Sequence, residues 1–117
     1  MLNSFAELQT FMTQTMTELG GSAEFAPHGV FWQTLSYDQC VNGNMPGIAG
    51  APVKILVSGA SSQSNIIHAL KGEGIFAPGG RFRRMPAGGP YFSEEQIKEI
   101  ADWIEAGCPE QSGGAGE

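Results

Sequence analysis

Two cysteines, a histidine set among aromatic residues and a run of arginines carry most of the chemistry that this sequence offers. Cys40 and Cys108 stand 68 positions apart. Paired, they close a long loop and add roughly 4 kcal/mol in the chain-entropy picture of a disulfide. Unpaired, they are reduced thiols that pack as small hydrophobes. His28 lies within the cluster Phe25, Val30, Phe31 and Trp32, and the bland reading makes it a loop histidine bonded to backbone. Arg81, Arg83 and Arg84 form either a docking patch for an acidic partner or a solvated loop that balances an acidic helix.

Hydrolytic chemistry has no support. No thiolate-activating context surrounds Cys40, and Ser58-Gly59-Ala60-Ser61 is not a nucleophile elbow. Glu94, Glu95, Glu99, Asp102 and Glu105 read as solvent-face charges that suit a helix, without a shared pocket. The glycines between Gly72 and Gly89 do not follow a strand at phosphate-loop spacing. The chain is therefore expected not to be an enzyme.

The elements that position these groups follow from composition and period. With 117 residues and 41% hydrophobic content, the chain is one globular domain with a single modest core. Seventeen Gly and seven Pro imply long irregular connections between short helices. A net charge of -6 with six basic residues lacks the cationic footprint that nucleic acid requires. No apolar run reaches membrane-spanning length. The N-terminus has no basic n-region and mixes polar with apolar residues, unlike a secretory signal. That leaves a cytoplasmic chain or one whose leader has been removed.

Phe5, Leu8, Phe11 or Met12, Met16 and Leu19 recur at helical spacing, which predicts a helix over 5–19. Ser4 with Glu7 forms its capping box, and Gly20-Gly21 its stop. A short helix follows over 36–42, with Ser36 as N-cap and Gln39 in the box position. Val53 to Val57 is the one place for a strand. A helix is predicted over 61–71 with Ile66, Ile67 and Leu70 on one face, Gly72 at its end and His68 projecting from its surface. The last helix opens with the box Ser93-Glu94-Glu95-Gln96, buries Ile97, Ile100, Ala101 and Ile104, and ends at Gly107-Cys108-Pro109. Residues 1–110 form the domain and 111–117 a flexible tail.

Several of these features together resemble the cytochrome c-like family. Gly59-x(4)-Ser64-Asn65-Ile66-Ile67-x-Ala69-Leu70 is similar to a helix of many bacterial members. Arg84-Met85-Pro86-x-Gly88-Gly89-Pro90, followed by Ser93 to Ile97 and Trp103-Ile104, looks like their axial-methionine loop and terminal helix. The departure is at Glu24-Phe25-Ala26-Pro27-His28, where Glu24 and Pro27 occupy the cysteine positions of the haem-attachment motif C-x-x-C-H.

The resemblance implies an all-α fold with the N- and C-terminal helices crossing, short middle helices and long Gly/Pro-rich loops. It places His28 in the proximal and Met85 in the distal ligand slot of haem iron, 57 positions apart. It also suggests an oxidising, periplasmic setting, with which a Cys40–Cys108 disulfide would agree. Thioether links need both missing thiols, so no covalent haem is expected. The leading expectation is a haem-free cytochrome c-like domain acting as a binding module for a protein partner. In it, Phe31, Trp32, Phe76, Phe82, Tyr91 and Phe92 are available to fill the haem space. The alternative is an electron-transfer protein that holds haem non-covalently through His28 and Met85. In that case the arginines would pair with haem propionates.

Overall fold

The computed structural model describes residues 2–20, 31–45, 52–80, 84–85 and 90–110. Among them the chain is mainly helical, with helices α1 (Phe5–Glu18), α2 (Phe31–Thr34), α3 (Tyr37–Asn42), α4 (Asn65–Lys71) and α5 (Glu94–Glu105). Two 3₁₀ turns, Ser61–Gln63 and Gly74–Phe76, flank α4. The all-α class expected from the sequence holds for these residues.

Helices α1, α3 and α5 each begin where a serine hydroxyl replaces a missing backbone partner. Ser4 Oγ accepts the Glu7 N–H at 3.1 Å, but the Glu7 carboxylate takes the N–H of Asn3 at 3.1 Å. The expected reciprocal box at α1 thus closes one residue early. Ser36 with Gln39 and Ser93 with Gln96 form both halves of their boxes, as read from the sequence. On α1 the buried line runs Phe5, Leu8, Met12 and Thr15, while Phe11, Met16 and Leu19 lie at its margin. α2 was not foreseen. Its Trp32 donates to Thr13 Oγ1 at 3.0 Å, and Gln9 of α1 returns a bond to the Trp32 carbonyl at 2.8 Å.

The segment Val53 to Val57 forms no strand. Lys54 makes a single antiparallel bridge with Asn44, and Met45 N–H donates to Val53 O at 2.7 Å. Its apolar pair, Ile55 and Leu56, is fully buried, and the Ile55 carbonyl accepts the Ile66 N–H at the start of α4. The backbone of this segment is thus paired mostly with the α4 entrance.

That entrance explains why the predicted helix over 61–71 breaks in two. Ser64 is fully buried, and its hydroxyl accepts the Val57 N–H at 2.8 Å while lying 3.0 Å from the Ala60 carbonyl. Satisfying the incoming loop costs the helix its continuity, since a serine so engaged competes with the backbone ladder. Downstream, α5 contributes Ile97, Ile100, Trp103 and Ile104 to the core. Ala101 is only partly buried, so Trp103 takes the place expected of it. The resulting core joins α1, α2, α3, α4 and α5 in one cluster.

Candidate functional site

Two places in the fold hold the residues singled out above. The first is the methionine loop beside the C-terminus of α4. α4 ends at Gly72, whose φ of 74° is left-handed and whose N–H caps the His68 carbonyl. The absent Cβ also makes room. A methyl group there would come within 2.9 Å of the Arg84 side chain.

Arg84 uses that space to lie across the helix end. Its Nε donates to the Leu70 carbonyl at 2.9 Å, and its guanidinium carbon sits 4.2 Å from the centre of the Tyr91 ring. A cation at a helix C-terminus faces the negative end of the dipole and satisfies a carbonyl without an intrahelical partner. The next residue, Met85, donates its N–H to the Ala69 carbonyl at 2.8 Å and is half-buried. Arg84 is therefore a clamp on α4, neither a fully solvated balancing charge nor a free docking cation. Tyr91 is the large apolar side chain left exposed, at 41%, among the described residues. Arg81, Arg83, Phe82, Glu24, Pro27 and His28 lie outside the described residues.

The second place is the turn that follows α5. Gly107, with φ of 92°, and Cys108, with φ of 55°, close α5 as a Schellman motif. Cys108 N–H returns to Trp103 O at 3.0 Å and Gly107 N–H to Ile104 O at 2.9 Å. Cys108 and Trp103 are both fully buried, supplying the apolar contact that accompanies this motif. The three carbonyls that follow each receive a donor from a different helix. Tyr37 of α3 donates its hydroxyl to the Cys108 carbonyl. Trp103 of α5 donates its indole N–H to Pro109 O at 3.0 Å, and Phe5 of α1 its backbone N–H to Glu110 O at 3.0 Å. The rings above them pack together, with Phe5 edge-on to Tyr37 at 5.5 Å and stacked near Trp103 at 6.4 Å. This is a knot.

Both cysteines belong to it. Cys40, one turn after Tyr37 on α3, is 1% exposed, Cys108 is 0% exposed, and both are free thiols. Burial pushes the Cys40 thiol up to about 12, and the neighbouring Cys108 adds to the shift. Burial also raises Cys108, opposed by a hydrogen bond with Ser58. Tyr37 is raised by burial first, then by Cys108, Glu110 and Cys40. These groups share one low-dielectric neighbourhood in which none ionises easily.

His68, expected on the surface, is half-buried with both ring nitrogens engaged. One is 2.7 Å from the Ser62 carbonyl and the other 3.3 Å from Asn65 Oδ1. Sequence reasoning missed Tyr37, for which its three-residue spacing from Cys40 was the available signal, and it noted Ser64 within the family-like pattern without foreseeing its bonds to the preceding loop. Met45, partly buried, packs against the core margin. Among the described residues no three His, Cys, Asp or Glu side chains gather as a metal-binding group. Compared with family models, curated proteins and solved structures, the chain matches none.

Proposed function

We propose that the chain is a haem-free, cytochrome c-like domain that works as a binding module for a protein partner in an oxidising, periplasmic compartment. The observation that carries this reading is the use of its aromatic residues. Phe31, Trp32 and Phe92 are buried in the same cluster as the helix stripes, and Phe76 is buried beside the loop that follows α4. Side chains that bury about 150–250 Å² each can supply much of the contact surface a flat cofactor would have provided. The substitutions Glu24 and Pro27 remove the covalent route.

The residues tied to haem by resemblance add to the argument. A thioether is a fit donor for iron, and Met85 is the ligand candidate among the described residues. Its neighbour Arg84 is committed to the Leu70 carbonyl and the Tyr91 ring, so it could serve a propionate only by leaving α4. The Arg84–Tyr91 pair offers a contact point for a partner instead, since arginine and aromatic residues are enriched where proteins meet. No catalytic step is assigned to the domain.

A visible spectrum of the purified protein, before and after haemin and dithionite, tests the reading. The expected result is no saturable haem uptake and a flat spectrum apart from free haemin. A sharp Soret band with split α and β bands on reduction, lost in His28→Ala and altered in Met85→Ala, overturns it in favour of non-covalent electron transfer.

A further inference from the structure

We infer that Cys40 and Cys108 are a redox latch, which closes into a disulfide as the chain folds in the presence of a small-molecule disulfide and so fastens α3 to the turn after α5. The placement of the two residues carries the inference. Tyr37 and Cys40 are three positions apart and share a face of α3. The Tyr37 hydroxyl already reaches the backbone of Cys108 itself. Both cysteines are closed off from solvent within one cluster, and each is close enough for its charge to bear on Tyr37. Cys108 also holds the single non-glycine left-handed backbone among the described residues, the second residue of the turn at which α5 stops. A non-glycine residue held there is costly and persists only where its surroundings demand it. That backbone is held by Trp103 O on its amide and Tyr37 on its carbonyl.

The exchange balances without any group beyond the named oxidant. The Cys108 thiolate attacks one sulfur of the small disulfide and expels a thiolate, which takes up the proton that Cys108 lost. The Cys40 thiolate then attacks the Cys108 sulfur of the mixed disulfide, forming the intramolecular bond and releasing the second small thiol. Two protein thiols give up two electrons and two protons, and the small disulfide receives them. The balance is the same whichever of the two cysteines attacks first. Both sulfurs are shielded in the folded chain, so exchange runs during folding or local opening. The reduced state remains folded through the buried core around the two thiols together with the knot's hydrogen bonds.

The test uses the full-length chain, unfolded and then refolded in glutathione buffers of graded redox poise. Alkylation under denaturing conditions and a non-reducing digest are read by mass spectrometry. The expected product is a monomer carrying a Cys40–Cys108 cross-linked peptide, with a Tm about 10 °C or more above that of the same sample in dithiothreitol. Cys40→Ser should lose both the peptide and the shift. Should that variant fail to fold, the digest of the unsubstituted chain still decides. Two freely alkylated thiols at the most oxidising poise, glutathione adducts alone, or intermolecular dimers overturn the pairing. A cross-link formed without a rise in Tm overturns the latch. Neither result depends on haem, so the inference and the proposed function fail separately.

Discussion

The turn after α5 and the methionine loop after α4 are built from the same materials and held in opposite ways. Both follow a helix that ends at a left-handed glycine, Gly107 in one case and Gly72 in the other. The first is tied to α1, α3 and α5 through three consecutive carbonyls and lies under the packed rings of Phe5, Tyr37 and Trp103. The described part of the second, Arg84 and Met85, is tied to α4 and Tyr91 through a backbone amide, one arginine nitrogen and a ring face. Apolar burial dominates at the knot; at Arg84 and Met85 the described ties are polar contacts of modest net worth.

Trp103→Ala should produce the largest effect. It removes a fully buried ring and the donor to Pro109, costing about 3–5 kcal/mol in chemical denaturation. A loss below about 1 kcal/mol would show that the knot does not organise the core.

Alkaline titration comes next. Cys40 is raised in the folded chain to about 12 from an ordinary value of 9.0. Above the ordinary value the unfolded chain sheds this proton while the folded chain retains it. Stability is therefore complete below about pH 9 and falls as pH rises towards 12, by on the order of 1 kcal/mol per pH unit. Denaturation curves across that window should flatten in Cys40→Ala, and also in the oxidised chain if the latch forms. An equal slope in that variant would assign the loss to other groups.

Gly72→Ala probes the loop. A left-handed alanine and a methyl group 2.9 Å from the Arg84 side chain should together cost about 1–2 kcal/mol. In an Arg84→Ala background the steric part should shrink, since only the Cβ at 3.3 Å remains, and the backbone part should persist, which a double-mutant cycle resolves. Full additivity would mean that Arg84 does not lie across the helix end. The smallest effect belongs to Lys98→Ala. Its exposed pair with Asp102, at 2.7 Å, should leave Tm unchanged within error.

Much of the frame was legible one residue at a time. Ser4, Ser36 and Ser93 announced three helix starts, and Gly72 and Gly107 two stops, because capping depends on a hydroxyl or a missing Cβ within one turn. The stripe Ile97, Ile100, Ile104 was equally plain, since burial at helical period leaves its mark in the order of residues. Ser64 escaped the same rules. Its hydroxyl serves Val57 and Ala60 in the preceding loop, so a helix expected to run from 61 to 71 divides. Val53 to Val57 had a strand's composition but found no full partner strand. His28, placed in a ligand slot by resemblance alone, lies outside the described residues.

Side-chain types and spacing were thus enough to write the helices, their caps and the list of reactive groups. Which of those groups meet was settled by folding. Tyr37, Cys40 and Cys108 lie 71 positions apart at their extremes, yet the first donates to the backbone of the last. Arg84 reaches back to Leu70, 14 positions earlier. Capping and periodicity act within a few residues, where sequence order is itself the geometry. Contacts across tens of residues exist only once a shared core has brought the helices together, and no local rule encodes that distance.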